Sequence, residues 1–343
     1  MKILEPLLTF LNRNHKSFIN KKLICCVKEK IITFEQFLEI NPKNAVILKK
    51  DKLQKIESLL IKKYKTKSNV GLAIGCSRRF VAKIFYKKQN PSAGLLLRIC
   101  KEIKIKPKEL IEKITPRCRY NYSYLKPKNF PIKLDEILSA LVGHALGDGH
   151  LRKVFSYTNK DEKLISNMIK LAKKIPIKNL SINHWSHHGE SIRFSTLLKD
   201  ILICTGATIG NKTTTRAITP DWIKNGNLKI KRNFLKALFD DEGTVNILKK
   251  EIVFGATKNI SFEKNLNNYL NSIKRMLLSL GIKGVTITDA GFNYGKNGKT
   301  INKQLRICGQ DSFKEFMKKV NFNSPKKRKK LEILLKSYQK HRE

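Results

Sequence analysis

The apolar and polar positions divide the chain into segments of two periods. "DKLQKIESLLIKKY", from Asp51, carries Leu53, Ile56, Leu59 and Leu60 at helical spacing. Shorter helices are expected next. Ser68 can cap one that holds Val70, Leu72, Ala73 and Ile74, Gly75-Cys76 makes a tight break, and Ser77 can cap another with Phe80, Val81 and Ile84 facing inward. A further helix starts after Asn90-Pro91. From residue 134 one theme is played twice. A helix ending in Asp-Gly ("LDEILSALVGHALGDG") precedes strand-like alternation ("KVFSYTN"), a longer helix ("KDEKLISNMIKLAKKI"), a strand ("ESIRFS") and a short helix ("LLKDILICTGA"). A helix ending in Glu-Gly ("KRNFLKALFDDEG") precedes "EIVFGAT", "EKNLNNYLNSIKRMLLSLGI", the strands "GVTITDA" and "KQLRICG", and a closing helix, "DSFKEFMKKV". An α-β-β-α-β-β-α order in both halves is an internal duplication of α+β type.

These patterns suggest five segments. Residues 1–50 hold material for a strand pair and a helix, with no role assigned. Residues 51–115 form a small all-α domain. Residues 116–133, with Pro116, Pro127, Pro131 and interleaved tyrosines, have the composition of a linker. Residues 134–227 and 228–343 are the two repeats.

Charge adds a partner. The 343 residues carry 71 Lys+Arg against 27 Asp+Glu, a formal net charge of +44. That is far more than solubility requires and points to a polyanion, nucleic acid before acidic membrane. No apolar run approaches the roughly 20 residues of a membrane helix, and the N-terminal apolar patch, interrupted by Glu5 and Pro6, does not make a signal peptide. A cytoplasmic, nucleoid-associated protein is expected. The seven cysteines are scattered, with no C-x-x-C spacing, which indicates neither a zinc ribbon nor a disulfide framework. "HWSHH", His184 to His188, lacks a partner cluster at ligand spacing and suits a polar or phosphate-contacting surface better than a metal site.

Two short helices around a glycine turn, the second with Arg78, Arg79, Lys83 and Lys87 on its outer face, make a helix-turn-helix pattern. The stretch resembles the Cro/phage-repressor helix-turn-helix family, including the "NPSAGLLLRI" helix that follows. That resemblance implies DNA binding through the basic face. A helical bundle with a solvated basic face is the plainer alternative.

The chemistry concentrates at the ends of the two repeat-opening helices. Gly143 and Gly147 lie four apart on one face. Each costs about 1 kcal/mol of helix propensity relative to Ala, so a close backbone approach is expected there, with Ala237 at the matching position of the second helix. Side by side and parallel, the two helices would bring Asp148 and Glu242 together. Two carboxylates at the negative ends of two helix dipoles repel. Mg²⁺, which prefers oxygen ligands, would relieve this, and carboxylate-held Mg²⁺ beside phosphates is the working part of many nucleases. Taken alone, Asp148 before Gly149 is a common turn; an acid-glycine pair twice at repeat spacing asks for more.

"LVGHALGDG" (141–149) and "LKALFDDEG" (235–243) resemble the paired motifs of LAGLIDADG homing endonucleases, in the single-chain, two-motif form. Their acids stand 94 residues apart (148 to 242), and flanks such as "GNKTTTRAITPDWI" and "FKEFMKKVNFNSPKKRKKLEILL" are similar as well. The resemblance covers about 134–340. It implies two pseudo-twofold-related αββαββα repeats forming a saddle, with Asp148 and Glu242 as metal-binding catalytic carboxylates. It also implies a basic residue near each centre: Lys212 for one, and Lys326 or Lys327 after Pro325 for the other, with Lys327 taken as the candidate. Arg193, Ser195 and Arg306 would lie on the DNA-facing strands. The implied activity is Mg²⁺-dependent, site-specific cleavage of double-stranded DNA at an asymmetric target by a monomer. His144, Gly147 and Lys236 depart from the family pattern without removing a metal ligand. Two alternatives share the scaffold: a DNA-binding transcription regulator that does not cleave, and a maturase acting on intron RNA. The Met1 start and "HRE" end lack intein termini, so protein splicing is not expected.

Overall fold

The computed structural model describes residues 30–117, 122–186, 190–295 and 298–338. The chain divides into two compact units. The first gathers the chain up to Lys133 with Pro176–Ser181 and Ser195–Cys204; the second holds Leu134–Ile175, Ile182–Phe194 and Thr205 onward.

In the first unit, β1 (Ile31–Ile32) leads into α1 (Phe34–Ile40), whose start is set by a capping box: Thr33 accepts from the Gln36 N–H, and the Gln36 side chain accepts from the Thr33 N–H. β2 (Ala45–Leu48) then precedes α2 (Lys50–Tyr64), α3 (Lys67–Ile74), α4 (Arg78–Phe85), α5 (Ala93–Ile103) and the single turn α6 (Pro107–Leu110). α3 is capped by Thr66, not by the expected Ser68, which lies inside the helix. The reason is local: Lys65 takes a positive φ to end α2, so the next extended residue, Thr66, is already placed to cap. Gly75, in the left-handed conformation, makes the break, and Ser77 caps α4. β3 (Ile111–Thr115) returns antiparallel to β2.

The Pro- and Tyr-rich stretch expected as a linker is pinned by backbone pairs over its described part. Leu125 pairs with Ile114, Tyr124 with Lys178, and β4 (Ile132–Lys133) with β1. The cause is three apolar residues among the polar ones: Leu125, Phe130 and Ile132 are buried, and the Phe130 ring lies against Phe34 and Phe37. α9 (Thr196–Cys204), expected to close the first repeat, groups with this unit as well. Its apolar residues are buried nearly all round, and its Asp200 accepts from the side-chain amides of Asn41 (3.0 Å) and Asn44 (2.9 Å). Burial holds the Asp200 carboxyl above its ordinary value, against the pull of Lys199 and the two amides.

The second unit opens with α7 (Glu136–Leu146), capped by Asp135, whose carboxylate accepts from the N–H groups of Ile137 and Leu138. β5 (Gly149–Leu151), β6 (Phe155–Asn159), α8 (Glu162–Lys173), β7 (Ile182–Ser186) and β8 (Glu190–Phe194) follow. After the short α10 (Asp221–Lys224) comes α11 (Leu228–Glu242). It leads to β9 (Gly243–Asn246), β10 (Glu251–Asn259), α12 (Glu263–Ser279), β11 (Val285–Gly295), β12 (Gly298–Cys308) and α13 (Gln310–Lys319), with α14 (Pro325–Lys336) beyond. Two four-stranded antiparallel sheets result, ordered β5-β6-β8-β7 and β9-β10-β12-β11. The same order in both matches the αββαββα duplication in an α+β architecture.

The seam between α7 and α11 sets the geometry of this unit. A Cβ on Gly143 would lie 2.7 Å from the Phe234 carbonyl oxygen and 2.8 Å from the Ala237 Cβ, so the backbones pass closer than side chains usually permit. One turn on, Gly147 faces Asp241. Position 143 against 237 and 147 against 241 means the two helices run parallel and in register. After each helix the strand starts at once. Gly149 and Gly243 sit where a Cβ would meet the carbonyl oxygens of His144 (2.6 Å) and Phe239 (2.5 Å), which explains the glycine behind each acid.

Gly143→Ala is expected to cost about 1–3 kcal/mol in chemical denaturation through overpacking of the seam. Gly255→Ala, where a Cβ would meet nothing within 4 Å, should stay within about 0.5 kcal/mol. For Asp200 the folded carboxyl binds its proton more tightly than the unfolded one. Its contribution is therefore full below the ordinary value of 3.8 and falls as pH rises above it. Denaturant midpoints between about pH 4 and 7 should fall less steeply with pH in Asp200→Asn than in the wild type.

Candidate active site

The parallel seam brings the ends of α7 and α11 together. α7 stops at Leu146, and Gly147 as its C-cap donates to the Gly143 carbonyl (2.9 Å). Asp148 thus lies just past the helix, whereas Glu242 is the last residue of α11. Asp148 is half-buried and its Oδ2 accepts from the Asn159 amide at 2.7 Å. Burial and the charges of Asp241 and Glu242 push its carboxyl up to about 6, against the opposing charges of Lys212 and Lys327. Burial also raises Glu242, and Lys212 is the chief opposing charge. The four residues named for chemistry from the sequence therefore act on one another electrostatically.

They line two cavities, and each cavity pairs an acid from one repeat with a lysine from the other. Asp148 and Lys327 share one of about 890 Å³, with Asn159, Asp161 and Asp240. Glu242 and Lys212 share another of about 250 Å³, with Thr213, Thr215 and Lys258. A groove of about 400 Å³ runs on from Glu242 past Thr244 and Glu251 to Gln304 and Arg306.

Two acids that the motif spacing did not single out organise the seam. The Asp241 side chain is fully buried over Gly147. It accepts from the Tyr157 hydroxyl (2.7 Å) and the Asp148 N–H (3.1 Å), and faces the His144 Nδ1 at 3.0 Å. Burial would lower the His144 ring, but the charge and hydrogen bond of Asp241 outweigh it and hold the ring above its ordinary value. Asp240 accepts from the N–H groups of Asn323 (2.7 Å) and Ser324 (3.1 Å), just before α14. That carboxylate suits the positive end of the helix and anchors the turn that carries Lys327. The signal was present as three consecutive acids, Asp240-Asp241-Glu242, in a chain poor in acids.

The lysines are held differently. The Lys327 ammonium donates to the carbonyls of Phe239 (3.3 Å), Asp240 and Asp241 (3.2 Å), the last turn of α11. Lys212 has no hydrogen bond to its ammonium among the described residues; burial lowers it and Glu242 is its chief opposing partner. Its own carbonyl is held instead by Lys258, which also donates to the Thr215 carbonyl (2.9 Å) and is pushed down to about 8 by burial and by Lys212.

Among the described residues no group of three or more His, Cys, Asp and Glu is gathered to hold a metal ion. His187 and His188 lie outside the described residues; His184 sits on β7. Two carboxylates raised by burial and by neighbouring acids still fit a hard divalent cation. Mg²⁺ commonly takes one or two protein carboxylates and completes its shell with water and substrate phosphate.

Of the basic positions expected to meet nucleic acid, Arg78, Arg79, Lys83, Lys87 and Arg193 are exposed. The Arg193 guanidinium lies over the Trp185 ring at 4.2 Å. Arg306 is half-buried, paired with Glu251 (3.4 Å) and donating to Gln304 (2.9 Å). Ser195, expected on the exposed face, is 1% exposed because it ends the strand and enters α9. On the β11–β12 ribbon, Lys299 lies over the exposed rings of Phe292 (4.5 Å) and Tyr294 (5.7 Å).

Residues 229–321 match the LAGLIDADG-like domain. The match spans α11 through α13, the second repeat and its acid. The chain is 28% identical over 250 residues to the tRNA-splicing ligase RtcB of Pyrococcus furiosus, a stretch that is 64% of this chain and 25% of that protein. It is 31% identical over 191 residues to the replication factor C small subunit of Methanocaldococcus jannaschii, covering 49% of this chain and 10% of that one. The chain thus spans a quarter or less of these relatives. Among solved structures, full-length DUF199/WhiA from Thermatoga maritima aligns with a TM-score of 0.38 at 13% identity, over 59% of this chain and 60% of that one. No helix among the described residues is long and apolar enough to cross a membrane.

Asp241→Ala strips the buried His144 of its counter-charge and should destabilise the protein by about 3–5 kcal/mol in denaturant titration. Adding His144→Leu should recover part of that loss, since the orphaned ring is then gone. Strict additivity of the two changes would show that the pair is not coupled.

Proposed function

We propose that the protein is a site-specific, divalent-metal-dependent endonuclease of double-stranded DNA. The observation that carries this reading is the parallel helix pair, which brings one acid from each repeat to the same end of the seam, each sharing a cavity with a lysine of the other repeat. Asp148 and Glu242 would hold Mg²⁺, which when bound supplies a nucleophilic water and stabilisation of the leaving oxygen. The chain's own groups do the rest. Asn159 orients the Asp148 carboxylate through Oδ2. Asp241 fixes the Asp148 backbone through its N–H. Lys212 stands beside Glu242 to meet negative charge on phosphate.

DNA would lie against the two sheets, where Arg193 on Trp185 and Lys299 on Phe292 and Tyr294 offer cations and flat rings. Phosphate contacts would supply affinity and the ribbon side chains would read base edges. The two sheets differ in sequence, so the site they read is asymmetric. The exposed Arg78, Arg79 and Lys83 on α4, with Lys87 in the turn just past its end, would extend the footprint as a helix-turn-helix. The relatives support a self-contained role. A ligase and a replication factor have unrelated names, yet each shares with this chain a segment that is a minor part of its length. An activity common to both segments is separate from either name.

The test is incubation with a randomised duplex library and Mg²⁺, followed by sequencing of cut ends. The wild type should cut one sequence class. Asp148→Asn and Glu242→Gln should bind the selected duplex with wild-type affinity and cut it more than about 10³-fold slower, as loss of a transition-state contact demands. Tight, specific binding by the wild type with no cut would favour a regulator instead. Preference for structured RNA would favour a maturase.

A further inference from the structure

The two acid-lysine pairs are chemically unequal. Resting on the nuclease reading, we propose that the two strands are cut in sequence, the first at the Glu242–Lys212 centre, and that Lys327 serves first as the cap of α11.

An ammonium has three protons to give, and Lys327 directs its own to three carbonyls at the C-terminal end of α11. This is where a cation complements the helix dipole and meets the last carbonyls, of which that of Phe239 also accepts from the Gly243 N–H. To meet a phosphate or a water, Lys327 must surrender one of these charge-assisted bonds, a loss worth about tenfold or more in rate. Its companion Asp148 is engaged too, through Asn159 on the side chain and Asp241 on the backbone.

The other centre is open. The Lys212 ammonium and the Glu242 carboxylate have no hydrogen-bond partner among the described residues. The loop beneath Lys212 is nevertheless fixed, because Lys258 holds the carbonyls of Lys212 and Thr215. Lys212 is therefore a free donor on a rigid support, which is the arrangement that costs least to reorganise during reaction. Nothing corresponding frees Lys327, since its partners are the backbone of the helix that carries Glu242.

The experiment uses the full chain, a supercoiled plasmid bearing the library-selected target, and Mg²⁺, with thermal unfolding measured in parallel without metal or DNA. Nicked circles should accumulate before linear product, with all early nicks in one strand. Lys212→Met should slow that first nick about 100-fold without lowering the unfolding midpoint. Lys327→Met should lower the midpoint by roughly 2–4 °C or more and slow chiefly the second cut. Linear product without a nicked intermediate, early nicks shared between strands, or the same midpoint and the same strand effect in both variants would overturn the proposal while leaving the nuclease reading intact. A wild type that cuts neither strand overturns both.

Discussion

The rest of the second unit depends on how closely α7 and α11 approach. A missing Cβ at Gly143 lets that helix reach the Phe234 carbonyl and Ala237, and the same gap at Gly147 admits the Asp241 carboxylate. Interior packing is dense, so a single extra methyl at this seam has no void to enter. The parallel register that follows places Asp148 and Glu242 at the same end. Neither sheet could position its acid against the other without this contact.

Close approach creates an electrostatic problem, and the neighbouring side chains answer it piece by piece. Three consecutive acids end α11, next to Asp148, at the negative pole of a helix. Asp241 is neutralised by His144 and hydrogen-bonded by Tyr157. Asp240 turns to the N–H groups before α14. Lys327 covers the carbonyls. Asp148 and Glu242 are left on the cavity walls, their carboxyls raised by burial and neighbouring acids and opposed by Lys212 and Lys327. Raised carboxyls on a cavity wall mark a candidate place for chemistry.

Much of this was legible in the sequence, for identifiable reasons. Helix and strand order in both repeats followed from hydrophobic period, and the facing of Gly143 with Ala237 followed from counting residues from each acid. The run of three acids was visible, but what Asp241 does in it was not, because its partners, His144 and Tyr157, lie 97 and 84 residues away. The capping role of Lys327 was hidden for the same reason: a family motif places a basic residue near a site but does not say which atoms it touches. The affiliation of α9 with the first unit, and the pinning of residues 122–133, rest on long-range contacts of Asp200, Leu125 and Phe130. Their composition alone resembled a closing helix and a connector.

Gly149 and Gly243 have a mechanical consequence. Because each tucks under a helix carbonyl, the strand begins without any intervening loop. No slack therefore separates an acid from the first strand of its sheet. The sheet and the acid form a single rigid ruler, so each strand position is held at a set distance from the carboxylate. Lengthening the chain by one residue at either glycine would shift the graduation of that ruler, and every strand position would move relative to the acid.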